Sequence, residues 1–181
     1  MKRVCTRSGY GGAEMKHRQF AFLLATLLVE SGGDSRAETW RSYHNTRFGT
    51  AAGVPASWTM GPEPANDDGR KFTSPDKHAE ITISGHFANV DTDDELASRL
   101  EAGEGETIKF KKRKGKWVAV SGTKGDRIFY RKTLLSCGDS IANNLWIEYP
   151  LAQKGKYDAV VTHVAASLRP GPGYGMTTKC R

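Results

Sequence analysis

Four strand-like segments, residues 107–112, 116–121, 127–135 and 145–149, follow one another with gaps too short for a crossover. A parallel pair needs a connection of roughly a dozen residues or more, so these segments are expected to zigzag as an antiparallel meander. Turn formers mark the gaps: Lys114-Gly115, the stretch 122–126, and a loop over 138–144. The remaining elements must extend that sheet or cover it.

Upstream, residues 40–51 read as an opening strand anchored by Tyr43 and Phe48, followed by a turn at Val54-Pro55 and a short extended piece with a loop over 58–64. Asn66-Asp67-Asp68-Gly69-Arg70 is dense in turn formers, and Phe72 follows in a short strand. Residues 78–85 alternate, with Ala79, Ile81 and Ile83 on one face and Glu80, Thr82 and Ser84 on the other. That alternation leaves one side of the strand facing water, a ligand or a partner.

Two helices are expected. Thr92-Asp93-Asp94-Glu95 has the spacing of a capping box and announces a helix over 92–102, with Leu96 and Leu100 one turn apart. Tyr157, Val160, Val161, Val164, Ala165 and Leu168 fall on one helical stripe over 155–169, ending at Pro170. Thr162 and His163 lie off that stripe and read as solvent-facing. The fold class is therefore α+β: an antiparallel sheet flanked by two helices.

The N-terminal region reads as an address. Lys16-His17-Arg18 precedes the apolar run 20–29, and Ser35-Arg36-Ala37 supplies a small-residue cleavage site, so residues 1–37 are expected to contain a signal peptide cut after Ala37. The start falls naturally at Met15, after a glycine-rich extension. A membrane-spanning helix needs about 20 apolar residues, and Glu30, Gly32, Gly33 and Asp34 interrupt this run far sooner. No Leu-x-x-Cys lipidation pattern stands at the cut, which predicts a periplasmic or secreted soluble product with no transmembrane segment.

Residues 1–37 carry six basic and three acidic side chains, so their removal lowers the formal charge from +7 to +4. What remains is one domain over residues 38–170 and a Gly/Pro tail over 171–181, a length that can bury one core. It retains Cys137 and Cys180, an expected disulfide in an oxidising compartment. Closing a loop of roughly 43 residues would contribute about 4 kcal/mol on the chain-entropy account. Cys137 as a small buried hydrophobe is the simpler alternative.

Signals for chemistry are sparse. Gly138-Asp139-Ser140-Ile141 resembles the nucleophile block of GDSL-type esterases, which would make Ser140 a nucleophile with Asp139 and His163 as partners. The family's Asp-x-x-His does not follow, and a Gly-Asp-Ser loop between strands is ordinary turn chemistry. His44, His78, His86 and His163 are scattered without metal-ligand spacing, so no metal and no cofactor is expected. The strong charge feature is Lys109-Phe110-Lys111-Lys112-Arg113-Lys114-Gly115-Lys116-Trp117. A hairpin presenting Lys111, Lys112, Arg113, Lys114 and Lys116, joined by Arg70, could grip an anionic envelope component or a protein partner. Export argues against nucleic acid, and edge lysines also protect a sheet from edge-to-edge pairing.

Several phrases appear in order along the domain: Tyr43-His44-Asn45-Thr46-Arg47-Phe48-Gly49, Asn66-Asp67-Asp68-Gly69-Arg70-Lys71-Phe72-Thr73-Ser74, Ser121-Gly122 with Phe129-Tyr130, Leu135-Ser136-Cys137 with Tyr149-Pro150, and Tyr157-Asp158-Ala159-Val160-Val161. Together they resemble an uncharacterised exported proteobacterial protein family, which has no established catalytic residues to transfer. The element order also resembles the Mog1/PsbP-type α/β/α sandwich. That resemblance implies an accessory or binding domain without catalysis.

Overall fold

The structure is a computed structural model and describes residues 38–88 and 91–173. The expected signal segment and Cys180 lie outside the described residues. Strands β1 (Trp40–His44) and β2 (Ala51–Pro55) pair as an antiparallel ribbon. Strands β3 (Thr59–Met60), β4 (Gly69–Thr73), β5 (Glu80–Phe87), β6 (Glu106–Lys114), β7 (Trp117–Lys124), β8 (Arg127–Ser136) and β9 (Ile141–Pro150) form one antiparallel sheet in the order β3-β4-β5-β9-β8-β7-β6. Helix α1 (Thr92–Ser98) carries the chain from β5 to the far edge at β6, and the meander walks back until β9 pairs with β5. Helix α2 (Lys154–Ser167) closes the fold after a single 3-10 turn at Leu151–Gln153.

Alternation along the strands separates the two faces of the sheet. Ile81 and Ile83 of β5, Ile128 of β8 and Leu145, Ile147 and Tyr149 of β9 are buried beneath Tyr157, Val160, Val164 and Leu168, with Ala52 and Val54 of the ribbon completing this core. On the opposite face Val118, Leu135 and Ala142 pack under Leu96 of α1. The result is the expected α+β architecture, with three layers.

Three boundaries differ from expectation, and they follow from how the side chains of Asn45 and Asn143 are satisfied. The single opening strand is a ribbon: Asn45 turns the chain, its Oδ1 accepting from Phe48 N at 2.7 Å while its own N–H donates to Thr50 O at 2.8 Å. Val54-Pro55 consequently ends β2 instead of making a turn. The loop expected over 138–144 stops short, since β9 begins at Ile141. Asn143 is fully buried, its amide donating to Leu134 O at 3.0 Å and Ser136 Oγ at 2.9 Å while its carbonyl accepts from Thr50 Oγ1 at 2.8 Å.

The first helix is shorter than expected and differently capped. Asp91 Oδ1 accepts from Asp93 N at 2.7 Å, so Asp91 and not Thr92 is the cap. Glu95 does not reach back to close a capping box. Its carboxylate, 8% exposed, receives Arg99 Nε at 3.0 Å and Nη2 at 2.8 Å and lies 3.3 Å from His86 Nε2. Burial opposes the Glu95 charge, but Arg99 and His86 hold its carboxyl below the ordinary value.

His163 is not solvent-facing. Its ring stacks on Trp40 with centroids 3.5 Å apart, clamping the ribbon to α2. The tail is also partly packed: Pro172 O lies 2.8 Å from His44 Nε2, and the Ala51 and Arg169 backbones exchange two hydrogen bonds of 2.9 Å.

Candidate functional site

The basic run forms β6, the turn and the start of β7, at one edge of the sheet. Gly115, at φ 54, takes the left-handed first position of the two-residue turn. Pleating then divides the four predicted cations of β6 between two faces, while Lys116 sits in the turn. Lys111 and Arg113 lie opposite Val120 and Val118 on the α1 side, while Lys112 and Lys114 lie opposite Ala119 and Trp117 on the α2 side.

Their chemistry divides as well. Arg113 pairs with Asp93 of α1, and Lys116 Nζ lies 2.8 Å from Asp139 Oδ1. Among the described residues Lys109, Lys111, Lys112 and Lys114 have no acidic partner. Arg70 does not join them. It sits on β4, separated from β6 by four strands, and is bound to Glu63 at 2.7 Å.

On the α2 side the sheet extends past the helix and leaves a channel. One cavity of about 390 Å³ lies between Phe110, Trp117 and Tyr130 of the sheet and Ala165 of α2. A second, of about 470 Å³, continues past Val161 and Thr162, which line both, towards Ile128, Tyr149 and Leu151. Phe110 is 48% exposed at the mouth. Lys132 enters from β8, where its register places it beside Ile128, Tyr130 and Leu134 on the core-facing side. Its Nζ donates to Ala165 O at 2.7 Å and lies 5.5 Å from the Trp117 ring centroid, with Lys112 Nζ at 5.9 Å. Desolvation pulls the Lys132 ammonium below its ordinary pKa. In the further cavity burial, then the charge of Asp158, pushes the Tyr149 phenol up to about 12.

The sequence reading missed Lys132 and Tyr130. The available signal was Lys132 itself, the one charge in the apolar alternation Ile128, Tyr130, Lys132, Leu134.

The opposite face holds a polar cavity of about 420 Å³ bounded by Ser84, His86, Arg99, Arg131, Asn144 and Trp146. Its charges are internally matched. Arg131 pairs with Glu106 at 2.7 Å, donates to the carbonyls of Arg99 and Glu101, and lies over Phe129 and Trp146. This network fastens the end of α1 to the sheet. Thr82 and Ser84 are half-buried on this face, and Glu80 is held by Lys71 at 3.0 Å.

Ser140, Asp139 and His163 are not brought together as a triad. The Ser140 hydroxyl donates back to Cys137 O at 2.7 Å, Asp139 is held by Lys116 and Thr92, and His163 is engaged by Trp40. Cys137 packs beside Phe48 and Ile141. Among the described residues no group of three or more His, Cys, Asp or Glu could hold a metal ion, and no helix is long and apolar enough to cross a membrane.

No family model and no curated protein matches the chain. Solved structures do. Cyanobacterial PsbP (CyanoP) from Synechocystis sp. PCC 6803 superposes with a TM-score of 0.55 at 12% identity, covering 79% of this chain and 98% of that one. The Saccharomyces cerevisiae Ran-binding protein Mog1p gives 0.53 at 6% identity, over 80% of this chain and 100% of that one. The fold is of the Mog1/PsbP type. LpqN of Mycobacterium tuberculosis, described as involved in cell envelope biogenesis, gives 0.50 at 15% identity, over 75% and 92% of the two chains. At such identities the likeness carries the Mog1/PsbP-type architecture and no site residue.

Proposed function

We propose that this chain is an exported, non-catalytic binding domain of the cell envelope that engages an anionic envelope component through the β6–β7 edge. The observation that carries this reading is the row of lysines on β6, Lys109, Lys111, Lys112 and Lys114, which lack acidic partners among the described residues. Three fold neighbours are named for a Ran-binding protein, a PsbP and an envelope biogenesis factor, which fits an accessory role. Each lysine held at an anionic surface contributes about 1 kcal/mol. Replacing Lys109, Lys111 and Lys114 with Gln should therefore weaken binding to phosphatidylglycerol-containing vesicles by about 100-fold at moderate salt. Cosedimentation reads this, and equal binding by variant and parent would refute the proposal.

Export and the Cys137–Cys180 bridge belong to the same reading. The described tail supports the bridge, because Pro172 meets His44 and a Cβ on Gly173 would come within 2.5 Å of the Arg47 carbonyl, next to Phe48 of the Cys137 cluster. The seven further residues to Cys180 could span up to about 25 Å. Protein isolated from its native host should begin at Glu38 and weigh two hydrogens less than the reduced chain. A mass that includes residues 1–37 would remove the envelope from the proposal, and a fully reduced mass would remove the bridge.

A further inference from the structure

We propose that the channel between α2 and strands β6–β8 binds a single-chain anionic amphiphile, with its head group at Lys132 and Lys112 over Trp117 and its alkyl chain running past Val161 towards Ile128 and Leu151. This deepens the binding reading above by assigning a ligand class to the inner side of the same edge.

Three features carry it. The first is the misfit of Lys132, an ammonium on the core-facing side of β8 that makes one hydrogen bond among the described residues, to Ala165 O at 2.7 Å. An ammonium has three donors, so the remaining capacity suits a carboxylate or phosphate. The second is the charge balance. Among the described residues the cavity around Trp117 is lined by two lysines and by no acidic residue, whereas Asp158, in the further cavity, is already held by Lys154 at 2.5 Å. The third is the shape of the cavities. Two adjacent volumes of about 390 and 470 Å³ share Val161 and Thr162 in their lining and together offer a slot whose walls are mainly apolar away from the lysines. Each lies within the roughly 300–1,000 Å³ range of small-ligand sites. An inorganic anion would leave the slot empty, and a neutral hydrocarbon would leave Lys132 and Lys112 unanswered.

The test is calorimetry and native mass spectrometry on the purified protein with dodecyl phosphate, dodecanoate, dodecanol and inorganic phosphate, each below its aggregation concentration. One dodecyl phosphate or dodecanoate should bind per chain, at least tenfold more tightly than dodecanol and far more tightly than phosphate. Lys132→Met, which keeps the apolar stem, should lose at least tenfold in affinity for the two anions and leave dodecanol unchanged. Ala165→Phe, which narrows the slot without touching a charge, should weaken all three chain-bearing ligands. Absence of one-to-one binding, phosphate binding as tightly as dodecyl phosphate, or undiminished anion affinity in Lys132→Met would each overturn the proposal. The Gln variant at Lys109, Lys111 and Lys114 keeps the two readings apart. Loss of vesicle binding in that variant with no amphiphile bound by the parent sinks the channel alone. Amphiphile binding together with undiminished vesicle binding sinks the surface reading alone.

Discussion

Gly122→Val should detach β6 from the sheet. At Gly122 a Cβ would stand 2.1 Å from the Thr107 carbonyl oxygen and 2.9 Å from the Ile108 Cα, so the added atom meets backbone that cannot swing aside. Directly opposite, the β6–β7 register slips at a bulge between Ile108 and Phe110. Overpacking of this kind costs about 3 kcal/mol, and more where backbone must move. The loss should be local. Amide hydrogen exchange should report lost protection along Glu106–Lys114, while β5 and β9 in the sheet centre keep theirs. Both edge lysines and channel depend on β6, so vesicle and amphiphile binding should fall together. Uniform protection along β6 in the variant would show that the bulge tolerates a side chain.

Asp76→Ala should loosen α2 from the sheet by about 3 kcal/mol. Asp76 sits in the turn between β4 and β5 and accepts from Ser74 Oγ at 2.6 Å, His78 N at 3.0 Å and the Tyr157 hydroxyl at 2.9 Å, with Lys156 paired to its other oxygen. Removing the carboxylate leaves the Tyr157 hydroxyl, on a side chain only 3% exposed, without this acceptor. The Lys156 hydrogen bond, then that of Ser74, holds the Asp76 carboxyl well below the ordinary carboxylate range. A carboxyl whose folded pKa is depressed stabilises the fold above its unfolded value and loses that contribution as pH falls through the folded one. The parent should therefore lose stability progressively below about pH 5, and Asp76→Ala should lose measurably less over that window. Urea unfolding at pH 7 and pH 3 makes the comparison, and parallel losses in the two proteins would exclude Asp76 as a contributor.

Periodic apolar patterns make most of the architecture legible in the sequence. The stripe Tyr157, Val160, Val164 and Leu168 is buried as its spacing requires, and Ile81 and Ile83 face it from β5. The short gaps of the meander dictated antiparallel order, and the structure has it. Failures came where polar residues are satisfied by tertiary partners. Asn45 reads as a strand residue and makes a turn, whereas Asn143 reads as a loop residue and is buried in a strand. Glu95 has capping-box spacing, but Arg99 and His86 claim its carboxylate from outside the first turn.

The candidate site was legible as a charge run and not as a geometry. Composition placed the lysines on a hairpin, but it could not show that Arg113 and Lys116 are matched by Asp93 and Asp139. Nor could it show that Lys112 converges with Lys132 over one indole, since those residues come from different strands and meet only after pairing. Arg70 looked available because turn composition carries no information about distance across a sheet.

The ribbon of β1 and β2 buries Ala52 and Val54 against the last helix, and Ala51 exchanges backbone bonds with Arg169. The first two strands of this domain thus lack their apolar cover until α2 has formed. A domain whose opening ribbon is covered only by its last helix cannot complete its core before that helix is in place.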